Sequence, residues 1–344
     1  MIRSISGLAT AGLLVLALAG CGAPNPAETS ASPTPSETAT PTPEPVEYAP
    51  LTGEIVEVGS LAHASIAAKI DNHEDARPQI GLNQADIVFE ELVEGGLTRY
   101  VAIWHSEIPK LYGPIRSIRP MDPDIVSPFG GIITYSGGQQ KFVTMMKDTV
   151  VRNIIHGSTG TGDLMYRITD KIAPHNVVVK GQQLIAENTD LAAPLPAFSF
   201  ASNWATASTA GTGIVSPGFT VRIGEPSVPS WKWSGKNMAW VRFQTGGARD
   251  MDSAGAQLRA TNVIVQRVKE THEYGYVPRA NVVGTGDAWI FTGGKYLEAT
   301  WTKTDRASYT VYTDKATGEP ILLAPGNTWI ELMPNEGKLT IRTP

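Results

Sequence analysis

Ile87-Val88-Phe89-Glu90-Glu91-Leu92-Val93 and Arg99-Tyr100-Val101-Ala102-Ile103-Trp104-His105 decide the fold class of this chain. Each run is short, apolar and rich in β-branched or aromatic residues, so each reads as a strand rather than a helix. Ile66–Ile70, Gly131–Tyr135, Val150–Ile155 and Asn176–Lys180 read the same way. Between them Gln139–Asp148, Gly162–Asp170 and Gly181–Asn188 have helical spacing. The alternation predicts an α/β or α+β N-terminal domain with a mixed sheet over residues 51–200. Residues 201–217, rich in Ala, Ser, Thr, Gly and Pro without a clear period, are expected to be a connecting loop. Closely spaced apolar runs follow, Phe219–Ile223, Trp231–Trp233, Met238–Phe243, Asn262–Lys269, Ala288–Phe291, Tyr296–Trp301, Tyr309–Tyr312, Ile321–Leu323 and Thr328–Leu332, separated by Gly-Lys, Gly-Gly, Thr-Gly and Pro-Gly turns. Residues 218–344 are therefore expected to be a mostly antiparallel, β-rich C-terminal domain. Length alone leaves open whether it stands apart or continues the first sheet.

The N-terminus is built differently. Arg3, an apolar run from Leu8 to Leu18 and Leu18-Ala19-Gly20-Cys21 read as a secretory signal over residues 1–20. The run is too short to span a bilayer, which needs about 20 apolar residues. Its ending resembles the bacterial lipobox, which implies lipidation of Cys21, the one cysteine of the chain, and attachment to the outer face of the cytoplasmic membrane. Residues 21–50 hold eight of the 25 prolines and almost no large apolar side chain, the composition of a disordered tether.

The formal net charge of −5 is concentrated at that end. Without Arg3 and the six glutamates before Lys69, the remainder carries 27 basic and 27 acidic residues. A neutral body has no long-range field for a polyanion, which argues against a nucleic-acid partner. One cysteine excludes a disulfide framework, and the six histidines form no HExxH pattern, so neither a metal site nor a cofactor is expected.

Several ordered strings resemble the YerB-like lipoprotein family. In the first half they are Asp71-Asn72-His73, Ala76-Arg77-Pro78-Gln79, Ala85-Asp86-Ile87-Val88-Phe89-Glu90, Val93-Glu94-Gly95-Gly96-Leu97-Thr98-Arg99 and Gly113-Pro114-Ile115-Arg116-Ser117-Ile118-Arg119-Pro120. In the second half they are Gly284-Thr285-Gly286-Asp287, Phe291-Thr292-Gly293-Gly294-Lys295 and Ala324-Pro325-Gly326-Asn327-Thr328-Trp329-Ile330. The resemblance implies a surface lipoprotein with two family domains in tandem and brings no reaction with it.

The chemistry must come from the residues. Arg116 and Arg119 stand three apart on a loop bounded by prolines, and two planar guanidinium forks can clamp a phosphate or carboxylate. Tyr135-Ser136-Gly137-Gly138-Gln139 follows a strand and opens a helix, where backbone N–H groups favour anions. Arg99 and Gly95-Gly96 would support such a cleft. The alternative is that Glu90, Glu91 or Glu94 pairs with the arginines inside the fold. Asp71, Glu90 and His175 are the candidates for acid–base work, although Glu90 and Glu91 must face opposite sides of a strand. The leading expectation is a non-enzymatic envelope lipoprotein that binds an anionic glycan, a polyprenyl-phosphate precursor or a cell-wall synthesis protein. Its rival is an enzyme acting on a phosphate-linked envelope polymer.

Overall fold

Strand pairing in the computed structural model, which describes residues 45–344, begins with Ile66–Asp71 (β1), Ile87–Leu92 (β2), Thr98–Trp104 (β3), Ile132–Tyr135 (β4) and Arg152–Ile155 (β5). The expected leader, Cys21 and the tether as far as residue 44 lie outside the described residues. β3 pairs antiparallel with both β1 and β2, whereas β4 runs parallel to β1 and β5 parallel to β4. Three short helices lie in this half, Asp122–Val126 (α1), Gln140–Lys147 (α2) and Gly181–Ala186 (α3).

The second half adds Ala239–Phe243 (β6), Asn262–Tyr274 (β7), Gly284–Thr292 (β8), Lys295–Lys303 (β9) and Thr328–Pro334 (β10). Its ladders β7–β8 and β8–β9 are antiparallel, but β10 lies parallel to β7 on one side and to β2 on the other. β10 therefore joins the halves into one twelve-stranded sheet. The described residues form one compact unit from Pro45 to Pro344. Whether the second half continues the first sheet, open from sequence, is decided by that β2–β10 ladder.

Side chains alternate across this sheet as the two-residue period requires. Val101 and Ile103 of β3 join one apolar cluster with Ile87, Ile133 and Ile330, while Tyr100, Ala102 and Trp104 join the other with Ile66, Val263 and Trp329. The second cluster is closed by a separate five-stranded antiparallel sheet that contains β6. Both faces being covered explains why the strands read as continuous apolar runs.

Three local expectations change. Gly162–Asp170 is not helical, because Met165–Arg167 pairs antiparallel with Val177–Val179. Residues 201–217 are not a plain loop: Ser208–Thr212 is helical, and Ile214–Val215 pairs with β9. Residues 47–50, expected to be disordered, are part of the folded body: Glu47–Tyr48 pairs with Ile55–Val56, and the Pro50 carbonyl accepts from Ala197 N–H at 3.0 Å. No helix among the described residues is long and apolar enough to cross a membrane.

At the contact between the two halves Arg242 of β6 is fully buried. It hydrogen-bonds to Glu90 of β2 and to Asp250, and its Nε lies 3.9 Å from Glu331 of β10. Burial works against its charge, but Glu90, Asp250 and Glu331 outweigh it. Burial and the adjacent Glu90 push Glu331 well above the ordinary carboxylate range. Arg242→Met leaves buried carboxylates uncompensated and should cost about 3–5 kcal/mol in urea unfolding, with both halves lost in one transition. Adding Glu90→Gln to that variant should recover part of the loss.

Candidate functional site

Where β2, β3 and β1 end side by side, Glu91 and Asp71 are each in register with Arg99. The proline-bounded loop is strapped across these ends by backbone hydrogen bonds: Asp71 N–H to Pro114, Arg116 N–H to Lys69, and Ser136 N–H to Arg116. The strap places Arg116 and Arg119 over Arg99, and the three arginines line a pocket of about 240 Å³ with Asp71, Glu94 and His175.

The three guanidiniums are held differently. Arg119 is fully engaged: its Nε donates to Glu94 at 2.8 Å, and one terminal nitrogen donates to the Ser117 and Ile118 carbonyls. Arg116 has its Nε 3.0 Å from Asp71 Oδ2, without an aligned hydrogen bond, and its terminal nitrogens have no acceptor among the described residues. Arg99 donates once, to the Ser117 carbonyl at 2.7 Å, and has no carboxylate within ion-pair distance. Burial, followed by the Arg119 and Arg116 charges, pushes Arg99 down to about 10. Burial opposes ionisation of Glu94, but the hydrogen bond and charge of Arg119 hold its carboxyl below the usual range.

Beneath the pocket Lys69 bonds to Glu91 and, at 2.8 Å, to Asp122, so the formal charges of the whole cluster balance. Any pull on an anion is thus short-range, through N–H groups that lack an acceptor. Arg99 and Arg116 supply these groups.

His175 shares Asp71 with Arg116. Its Nδ1 is 2.6 Å from the same Asp71 Oδ2, and its ring stacks on His73 with centroids 4.4 Å apart and planes 18° apart. A buried carboxylate that orients a histidine leaves Nε2 to act as acid or base. Sequence spacing offered no metal motif, yet the fold puts ligand atoms of His73, Asp75 and His175 within 4.8 Å of one another. A ring nitrogen binds metal in the plane of its ring, and these nearly parallel planes do not converge. Joint ligation would require one ring to turn.

A second pocket of about 310 Å³ lies on the other face of the same strand ends, where Glu90 points as the alternation predicts. His73, Leu97 and Thr98 line both pockets. Pro226 and Ser227 reach this site from the second half, and Gly96 lets them in. At φ 75° its position excludes a side chain, and a Cβ there would lie 1.9 Å from the Glu225 carbonyl oxygen.

The structure brings together Asp71, His175, Arg99, Arg116 and Arg119. It separates the others from them. Tyr135 is buried and donates to Asn153 at 2.8 Å, and the Ser136 N–H and Gly137 carbonyl hold the arginine loop. Neither these three nor Gly138 and Gln139 line the pocket, so the expected backbone-donor role of residues 135–139 becomes one of support. Glu90 is consumed by Arg242 and by Thr98, whose hydroxyl donates to it at 2.6 Å. Sequence reasoning missed Arg242 and Arg77. A charge at an inward-facing position of an apolar strand was the available signal for Arg242; the signal for Arg77 was its place in the string Ala76-Arg77-Pro78-Gln79.

Fold and site together define a two-half body on one mixed sheet, with a guanidinium-rich pocket at its strand ends. The chain belongs to the family described as Protein of unknown function (DUF3048), with the N-terminal domain matched at residues 51–193 and the C-terminal domain at 219–330. "Putative lipoprotein YerB" of Bacillus subtilis (strain 168) is 34% identical over 128 residues, 37% of this chain and 38% of that relative's length. The crystal structure of the YerB protein from Bacillus subtilis has the same fold, with a TM-score of 0.71 at 22% identity over 86% of this chain and 99% of that one.

The Glu94–Arg119 pair predicts a pH signature. A carboxyl with a depressed folded-state value stabilises above its unfolded value, near 4.5 here, and that contribution disappears as pH falls through the folded value. Urea titrations should find wild type more stable than Glu94→Gln at pH 7, by under about 1 kcal/mol because the pair is partly exposed, with the gap closing below about pH 4.5.

Proposed function

We propose that this protein is a lipid-anchored, extracytoplasmic binding protein whose strand-end pocket takes an anionic cell-envelope ligand without converting it. The anchor rests on Leu18-Ala19-Gly20-Cys21 and on the lipoprotein description of its Bacillus relative. The anion reading rests on one observation: Arg99 and Arg116 line a single pocket with N–H groups that no protein acceptor claims. A burdened site of this kind gains most from a phosphate or carboxylate, because charge-assisted bonds to a guanidinium are the strong ones. Arg119, already held by Glu94, positions the loop.

The Asp71–His175 hydrogen bond favours a second reading, an enzyme acting on a phosphate-linked envelope polymer or lipid-linked precursor. Arg99 and Arg116 would bind the phosphate, and His175, oriented by Asp71, would move the proton.

Calorimetric titration of the full chain in detergent with glycerol 3-phosphate and a polyprenyl phosphate tests the first reading. Each lost charge-assisted bond is worth about 1.5–3 kcal/mol, so Arg99→Gln combined with Arg116→Gln should weaken binding at least tenfold. Unchanged affinity would remove the assignment. Incubation with a phosphodiester-linked polymer tests the second: turnover by wild type, lost in His175→Gln while binding persists, would replace the first reading.

A further inference from the structure

A further guanidinium stands outside the pocket lined by Arg99, Arg116 and Arg119. Arg77 lines the adjoining pocket, where its Nε donates to Asn72 Oδ1 at 3.2 Å and one terminal nitrogen to the Asn72 carbonyl at 2.7 Å. Its other terminal nitrogen has no acceptor among the described residues, and no carboxylate lies within ion-pair distance. The acidic groups of this pocket do not answer it: Glu90 is bound by Arg242 and Thr98, and Glu74 lies at the exposed rim. The remaining wall adds no further acidic group: Leu97, Pro226 and Pro229 are apolar, and Ser227, Gln244 and Thr245 of the second half already donate to the Gly96 carbonyl, to Asn72 and Asp250, and to the Pro226 carbonyl.

Arg99 belongs to one face of the sheet and Arg77 opens into the pocket on the other. His73 and Leu97 form the rim between the two pockets, and Leu97 is 37% exposed. We propose, resting on the anion reading above, that the ligand carries two or more anionic groups joined by a neutral hydroxylated spacer. One anion sits on Arg99 and Arg116, the spacer passes over the rim at His73 and Leu97, and a second anion sits on the open terminal nitrogen of Arg77. The chemistry is that of a repeating polymer, an anion and a polyol in alternation. A single phosphate occupies one pocket only. Linking two weak sites in this way multiplies affinity without any new kind of contact.

The test compares one repeat with three, using the full chain in detergent. Glycerol 3-phosphate and a phosphodiester-linked glycerol trimer are the phosphate pair; galacturonate and its trimer are the carboxylate pair and separate the two sources of anion. Wild type should bind the favoured trimer at least about tenfold more tightly than its monomer. Arg77→Gln should erase that preference while leaving the monomer's Kd within about twofold, and Arg77→Lys should keep part of it, which separates loss of charge from loss of structure. Arg99→Gln should weaken monomer and trimer alike. Equal binding of monomer and trimer by wild type, or an Arg77→Gln effect of the same size on both, overturns the two-pocket inference while the anion reading stands. No binding of any of the four probes removes both.

Discussion

A single guanidinium, that of Arg242, is the interaction on which the two halves depend. It comes from β6 in the second half and reaches Glu90 on β2 in the first, with Asp250 beside it and Glu331 of β10 close by. Tyr100, Trp231 and Trp329 surround it, their ring centroids 5.2–5.9 Å away, and Trp231 Nε1 donates to Glu331 at 2.7 Å. A charge so deep persists only when paired and hydrogen-bonded, so the two halves must dock in one register or leave it exposed to a large penalty. The β2–β10 ladder enforces the same docking through the backbone.

That docking also shapes the site. Glu90, held on one face by Arg242, forms the floor of the polar pocket, while its sequence neighbour Glu91 points to the other face and bonds to Lys69 beneath the arginines. One strand end thus serves two chemically different cavities. The approach of Glu225 to Gly96 brings the second half's polar residues against the first half's strand ends, and the larger pocket does not exist in either half alone.

Much of the site could be read in the residues. The proline-bounded arginine pair was legible by residue type and local pattern, with Arg99 as support, Asp71 as one of several nearby carboxylates and His175 marked by the family resemblance; they converge because β1, β3 and the loop before Val177–Val179 meet at one end of the sheet. The helix-opening segment 135–139 does not line the pocket, and its Ser136 N–H and Gly137 carbonyl are spent on holding the arginine loop. Glu90 failed as an acid–base candidate because a residue 152 positions away claims its carboxylate.

The sequence by itself determined most of the strands, since short β-branched and aromatic runs bounded by turn residues have few alternatives, and it determined the mixed first half and mostly antiparallel second half; it misread Met165–Arg167 as helical and Ile321–Leu323 as a strand. It also offered, through the strings at residues 71–120 and 284–330, the family that the comparisons bear out. Tertiary structure alone decided that Thr328–Pro334 inserts between β7 and β2, and which arginine is taken by a carboxylate and which keeps open N–H groups. Those outcomes depend on partners far away in the chain, and local propensity carries no information about which distant carboxylate will stand beside a given guanidinium.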